Sequence, residues 1–249
     1  SHIFTAQDYY PANLHSGLRI ILTLESAANV LTYDGTVPVY TLSNVHYVCD
    51  AIVLKPAVQS ALMKDLTNGG VKVHYTRYHA RRTTEVTGDQ IVNVGVLDGP
   101  VKDIQFFSVV NTARDASTED YWATFTQNNL SSYQMRLGDN FLNERRVQIS
   151  ATRLAEYTME FVKSQKMNLQ QLMFGDENLV LANRFVVGQR VDKSHSDEVI
   201  SSHKDDDHNK LEIDLQFSST PAANTLYIFA HLDQMLVILP GSQIKMGKM

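Results

Sequence analysis

Cysteine is almost missing from this chain of 249 residues. Its one cysteine, Cys49, cannot form an intrachain disulfide, and no zinc-ribbon spacing of cysteines exists. We therefore expect stability to come from packed apolar side chains or from subunit contacts. Apolar residues make up 43% of the sequence, which is ample for a buried core.

Long apolar runs and an excess of positive charge are also missing. No run of about 18 apolar residues is present, and the first residues lack the basic and apolar pattern of a signal peptide, so we predict neither a membrane span nor secretion. The 22 Lys and Arg residues are outnumbered by 27 Asp and Glu residues, which gives a formal net charge of -5. This balance provides no broad positive field, and we predict no specific nucleic-acid binding.

What is present is mostly β-type patterning. Gly17 to Leu24 and Ala27 to Tyr33 are predicted strands, and VYTLSNVHYVCDAIVL (Val39 to Leu54) is a longer one whose odd positions from Val45 to Val53 form an apolar face. Two or three strands cannot close a sandwich, and their open edges would promote aggregation. The sequence therefore predicts that the strands partnering this region are missing from the chain.

Two helices interrupt the strands. Pro56 suits a first helical turn, apolar side chains recur at helical spacing through Leu66, and Asn68-Gly69-Gly70 ends the helix. A second helix is predicted from 151 to 163, with Ser150 as its cap and a broad apolar stripe.

The remaining strands are numerous enough for a two-sheet jelly roll. LEIDLQF (Leu211 to Phe217) alternates strictly between apolar and polar residues, which predicts one face in the core and one face in solvent. LYIFAHL (Leu226 to Leu232) is apolar on both faces, which predicts a central strand. The fold class is therefore all-β with a few short helices. The predicted strands are 71–86, 90–97, 102–110, 121–126, 133–137, 145–150, 179–187, 211–217, 225–231 and 235–239.

A polar segment from Asp192 to Lys210 contains imidazole and carboxylate groups, which are common metal ligands. Their spacing matches no EF-hand, zinc or H-E-x-x-H pattern. We interpret the segment as an exposed loop and predict no metal site there. The candidate ligands are His195, His203, Asp205, Asp206, Asp207 and His208.

Other reactive combinations are equally unsupported. Cys49 lies near His46 and Asp50, but strand alternation places Cys49 and His46 on opposite faces, which favours a buried thiol over a nucleophile with a base. His74 and His79 also fall on opposite faces of a strand, so they cannot share a metal without a bulge. Because the serine hydrolase and dinucleotide-binding signatures are absent too, we predict no catalytic residue, no cofactor and no enzyme activity.

A basic cluster stands out against the acidic balance of the chain. Arg77, His79, Arg81 and Arg82 could bind phosphate or the carboxylates of a partner. The negative charge of the whole chain favours carboxylates at a subunit boundary.

Several segments, in this order, resemble the double-jelly-roll major capsid proteins of tailless icosahedral DNA viruses, a lineage that includes virophages, polinton-like viruses and nucleocytoplasmic large DNA viruses. The resemblance covers most of residues 12 to 245. Its marks include a Pro-Val-Lys step at 100–102 before an apolar run. The segments begin with PANLHSGLRIILTLESAANVLTYDG and VYTLSNVHYVCDAIVL, and continue with VKVHYTRYHARRT, VGVLDGPVKDIQFFSVV, SSYQMRLGDNFLNERRVQIS, RFVVGQRV and LEIDLQFSSTPAANTLYIFAHLDQMLVIL.

The resemblance implies a division of the chain into three parts. Residues 1–55 would be the last strands of a first jelly roll, 56–70 a linker helix, and 71–249 a complete second jelly roll. The upstream part of the first roll would be removed by proteolysis or supplied by a companion fragment.

The implied function is mechanical. The chain would be a structural subunit of the virion capsid, forming pseudo-hexagonal homotrimers that contact neighbouring trimers, penton and minor capsid proteins, with an internal viral membrane possible nearby. An alternative is a carbohydrate-binding jelly roll, such as a viral spike or receptor-binding domain, with Tyr121, Trp122 and Tyr133 as a sugar platform. A third reading is a jelly-roll metalloenzyme that uses the loop histidines.

Overall fold

The computed structural model describes residues 21–24, 26–46, 48, 52–83, 85–114, 125–149, 154–165, 185–191, 210–239 and 243–247. The chain divides into two compact units. The terminal unit contains Ser1–Tyr75 and Gln234–Lys248, and the sandwich unit contains Thr76–Asp233.

The described elements are four helices and ten strands. In chain order they are α1 (Ala27–Val30), α2 (Pro56–Gly69), β1 (Val71–Arg82), β2 (Gln90–Val96), β3 (Val101–Val110), α3 (Asn111–Arg114), β4 (Leu130–Leu137), β5 (Asn140–Phe141), β6 (Val147–Gln148), α4 (Leu154–Gln165), β7 (Val187–Arg190), β8 (Lys210–Phe217), β9 (Asn224–Leu239) and β10 (Gln243–Gly247).

The strands form two sheets whose recorded pairings are antiparallel. The first sheet has the order β1-β9-β3-β7, with β10 also beside β9, and the second has the order β2-β8-β4-β5, with β6 also beside β4. From β1 to β4 and from β7 to β9 the chain changes sheet at every connection. With β5 and β6 counted as one interrupted strand, this is the eight-strand arrangement of a jelly roll. The predicted fold class, a jelly-roll β-sandwich, is therefore confirmed.

The core of the sandwich unit lies between the two sheets. The strict alternation predicted for LEIDLQF is confirmed, since Leu211, Ile213 and Leu215 are buried while Glu212 and Asp214 face outwards. The rings of Phe106 and Tyr133, one from each sheet, meet edge to face with centroids 5.8 Å apart. Further buried members are Val92, Val94, Val101, Ile104, Met135, Val147, Phe185, Leu226 and Ile228.

Helix α4 covers the edge strand β7. A Cβ atom on Gly188 would lie 2.0 Å from Ser164 Oγ and 3.2 Å from Phe161 Cδ2, so only glycine lets the helix approach this closely. The Tyr157 hydroxyl donates a hydrogen bond to the Val186 carbonyl at 2.5 Å. These contacts hold α4 closely against the last strand of the first sheet.

The terminal unit has a much smaller apolar cluster. Leu66 of α2 packs with Val73, Leu236 and Ile238. Gly70 ends the helix at φ 90°, and a Cβ atom there would lie 2.7 Å from the Ile238 carbonyl oxygen. The helix ends at the predicted glycine pair and begins at the predicted proline.

The structure joins two predicted strands into one. Strands predicted at 225–231 and 235–239 are the single strand β9, which has three neighbours, as expected of a central strand. The gap between the two predicted strands contains the polar residues Asp233 and Gln234. They do not interrupt the strand because both are buried with partners: Asp233 pairs with Lys102, and Tyr75 donates a hydrogen bond to Gln234 Oε1 at 3.0 Å.

The early strands differ from the prediction. Among the described residues from 21 to 54, the segment predicted as a strand from Val39 to Leu54 is irregular, and Ala27–Val30 forms one helical turn instead of a strand. An extended segment becomes a strand only when a neighbour satisfies its backbone groups. No described strand pairs with this segment.

Smaller differences concern boundaries. The strand predicted at 145–150 is reduced to β6. Of the strand predicted at 179–187, residues 179–184 lie outside the described residues, 185 and 186 are not in a strand, and only Val187 belongs to β7. Residues 121–124 and the helix cap Ser150 also lie outside them. Strand β10 was not predicted.

Candidate assembly surfaces

The reactive residues considered from sequence do not come together in the described part of the chain. His46 is exposed, whereas Cys49 and Asp50 lie outside the described residues, as do the six candidate ligands of the 192–210 segment. His74 and His79 lie on one strand at positions of opposite parity. Within the described ranges no group of three or more His, Cys, Asp or Glu side chains is placed to hold a metal ion.

An interior cavity of the sandwich unit is lined mainly by apolar side chains, including Phe106 and Leu215. Its polar neighbours serve the main chain: Ser108 donates to the Thr126 carbonyl at 2.7 Å, and Gln127 donates to the Leu130 carbonyl at 2.7 Å. These two groups hold loops in place, whereas Oδ1 of Asn224, which also lines the cavity, is buried without a hydrogen-bond partner among the described residues. In the part of the chain described, no helix has the length and apolar character needed to cross a membrane.

The prediction of a sugar-binding platform is wrong for one of its three aromatic residues, Tyr133. Tyr133 has 0% relative exposure and belongs to the core, where burial raises the pKa of its hydroxyl well above 10.0. Its strand position facing Phe106 fixes it there. Tyr121 and Trp122 lie outside the described residues.

A polar cluster on the outer face of the first sheet was missed by sequence reasoning. Asp103 Oδ1 lies 2.7 Å from His231 Nδ1 and accepts a hydrogen bond from Gln105 Nε2 at 3.2 Å. Lys102 pairs with Asp233 on the neighbouring strand. These pairs satisfy polar groups that are largely buried, so they fix the register of β3 against β9. The signal in the sequence was weak because the partners are more than a hundred residues apart.

The charged outer face of the second sheet forms a further ladder. Glu212 pairs with Arg136 across the strands and with Lys210, and Asp214 pairs with Arg146. Hydrogen bonds from Lys210 and Arg136 lower the pKa of Glu212. Because these charges neutralise one another locally, this face is a solvated surface with little net field.

Apolar side chains of the terminal unit are unusually exposed. Val39, Val48 and Val53 are 90%, 89% and 95% exposed. Leu66 is the single buried side chain of the 14-residue helix α2. This series of exposed apolar side chains is unusual for the surface of a folded protein. Its other members are Val37, Leu42, Val45, Ile52, Leu54, Val58 and Met63.

The basic cluster is divided by the structure. Arg77, His79 and Arg81 occupy alternate positions of β1 and share one face of the strand. Arg82 belongs to the opposite face, where its guanidinium carbon lies 6.0 Å from the ring centroid of Tyr227. The four residues therefore do not form one patch.

The fold and these surfaces define a jelly-roll β-sandwich joined to a segment with a large exposed apolar surface. The chain matches no protein-family model and no curated protein. Among solved structures it is similar to a chain of the 3.5 Å cryo-EM structure of the Sputnik virophage, with 14% identity and a TM-score of 0.39, over 72% of this chain and 39% of that chain. It is also similar to the crystal structure of the mavirus major capsid protein, with 10% identity and a TM-score of 0.35, over 71% of this chain and 41% of that chain.

This chain thus spans about two fifths of the length of each of those two chains. The fold assignment rests on its own strand order.

Proposed function

We propose that this chain is a structural subunit of an icosahedral viral capsid that forms pseudo-hexagonal homotrimers and resides in the virion. The order of its sequence segments resembles the double-jelly-roll capsid proteins, and its sandwich unit has the strand order of one jelly roll. On this proposal the chain acts by forming contacts rather than by catalysis.

The observation that carries the proposal is the exposed apolar segment of the terminal unit. Val39, Val48 and Val53 belong to a β-type sequence, yet they are almost fully exposed and unpaired with any described strand. Free energy favours covering such side chains, since each buried valine contributes about 1.5–3 kcal/mol. The partner with the matching chemistry is a set of β-strands that pairs with the segment and covers its valines.

The proposal includes the domain division that the resemblance implies. Residues 1–55 would complete a first jelly roll whose other strands come from an upstream part of the protein or a companion fragment. Residues 56–70 would link the rolls, and 71–249 would form the second roll. Contacts that hold an obligate trimer together would bury more than about 2,000 Å².

The proposal is tested by the mass and shape of the assembled protein. We expect sedimentation of the full chain to give a trimer, and electron microscopy at higher concentration to show sheets or shells of three-fold units. Val39→Asp and Val53→Asp should impair assembly, whereas Phe141→Asp, which also replaces an exposed apolar residue, should not.

A monomer at all concentrations, even when the upstream part or companion fragment is supplied, would contradict the proposal. Binding of the monomer to an array of glycans would favour the carbohydrate-binding alternative, for which Trp122→Ala is the appropriate variant. Neighbouring trimers, penton proteins, minor capsid proteins and an internal membrane are partners of the assembled shell on this proposal.

A further inference from the structure

The two sides of the sandwich unit end differently. At one side the edge strand β7 is covered by α4, which packs on Gly188. At the other side β1 ends the first sheet and β2 ends the second. No described element pairs with the outer edges of β1 and β2, so backbone donors and acceptors remain available there.

Side chains from β1 lie at this open side. On one face of the strand, the ring of Tyr78 meets the ring of His231 with centroids 4.3 Å apart, and Arg82 lies over Tyr227. Strand alternation puts Arg77, His79 and Arg81 on the other face, towards the second sheet. Arg77, His79 and Arg81 together form the basic row.

The end of the basic row rests on a glycine of β2. Arg81 Nη1 lies 3.5 Å from the position that a Cβ atom of Gly95 would occupy. Gly95 has φ 105° and follows a bulge at which its amide donates to Asn93 Oδ1 at 3.0 Å. The glycine therefore leaves room for the guanidinium between the two edge strands.

The basic row has little compensating negative charge. Arg77 lies 3.8 Å from Asp98, whose side chain is 73% exposed, and so exposed a pair contributes little. Within the described ranges no carboxylate pairs with His79 or Arg81. The row is thus a local positive site on a chain whose net charge is -5.

We propose that the basic row binds carboxylates of a second copy of this chain at a subunit contact, which rests on the proposed function. Acidic copies repel one another, and a local positive row lowers that repulsion where the copies meet. Guanidinium groups bind carboxylates through two parallel hydrogen bonds. The row extends over four residue steps of the strand, or about 13 Å. This length suits contacts with a few side chains but is short for binding a nucleic-acid backbone.

The test compares two adjacent arginines in the full chain. Arg81→Glu reverses a charge of the row, and Arg82→Glu makes the same change on the opposite face of the same strand. We expect Arg81→Glu to raise the dissociation constant for self-association about tenfold or more at low salt, measured by sedimentation. Arg82→Glu should change it much less, and added salt should weaken the wild type more than Arg81→Glu.

Folding is checked by the urea midpoint of each variant. If Arg81→Glu is destabilised, Arg81→Gln replaces it, and an intermediate weakening is expected. Equal effects of the two reversals, or no effect of either on a self-associating wild type, would overturn this inference while leaving the proposed function intact. A wild type that does not self-associate would remove both.

A nucleic acid is the alternative source of negative charge for the basic row, and binding of a polyanion tests it. A short single-stranded oligonucleotide should bind wild type and Arg81→Glu equally weakly. If it binds the wild type tightly and Arg81→Glu abolishes that binding without changing self-association, the row is a nucleic-acid site and the inference fails.

Discussion

The ammonium group of Lys102 on β3 lies against the carboxylate of Asp233 on β9. Lys102 also donates to Thr76 Oγ1 at 3.4 Å, and the Asp233 amide donates to the Pro100 carbonyl at 2.9 Å. Asp233 is buried, and Lys102 is the charged partner of its carboxylate. This pair allows β9 to continue through a polar position that lies between the two strands predicted from the sequence.

Removing the lysine should therefore be costly. Lys102→Met leaves Asp233 with a largely buried and unpaired charge, and we expect the free energy of unfolding to fall by about 2–4 kcal/mol. Urea unfolding followed by circular dichroism measures the loss. The double variant Lys102→Met with Asp233→Leu should recover part of it, because no charge remains unpaired. A double variant as unstable as the sum of both single changes would refute this account.

Gly70 is required for two separate reasons, its positive φ and its contact with the Ile238 carbonyl. Gly70→Ala should destabilise the protein by about 3 kcal/mol or more. Gly35→Ala is the matched control, since Gly35 has φ 84° but nothing within 4 Å of its Cβ position, and its cost should be about 1 kcal/mol. Similar losses for the two variants would show that the contact with Ile238 is unimportant.

Gly188 tests the packing of α4 on β7. Gly188→Ala should lower the urea midpoint because the new methyl group meets Ser164 and Phe161, although no positive φ is involved. Adding Ser164→Gly should restore some stability by removing the nearest obstacle, despite the helix cost of about 1 kcal/mol. If the second change gives no recovery, α4 does not approach the strand as described.

Two buried tyrosines predict how stability changes at high pH. Burial raises the pKa of Tyr133 and of Tyr157, so the folded state holds these protons more tightly than the unfolded state. Their contribution is complete below the unfolded pKa near 10 and falls as the pH rises above it, by about 1.4 kcal/mol per pH unit for each group.

Tyr133→Phe should make this alkaline loss shallower. It should cost little stability at pH 7, because the Tyr133 hydroxyl is buried without a partner among the described residues. Tyr157→Phe should flatten the profile similarly but cost about 1 kcal/mol at pH 7 through the lost bond to Val186. Unfolding free energies measured from pH 7 to 11 test both, and unchanged slopes would contradict the assigned burial.

Local patterns were enough to predict the fold class and several elements. The alternation of Leu211 to Phe217, the proline at 56 and the glycines at 69 and 70 act within a few residues, so their structural consequences are visible in the sequence. The same rule assigned the strand from Val39 to Leu54, where it was wrong, because alternation indicates which face is apolar but cannot supply a neighbouring strand.

The sequence by itself determined the two-sheet character of this protein, the limits of α2 and the solvent-facing side of β8. The spacing of apolar side chains and the positions of turn residues are local properties of the chain. Tertiary structure decided that Asp233 and Gln234 lie within a strand and that Tyr133 is core. Those outcomes depend on partners distant in sequence, whose position only the pairing of the strands defines.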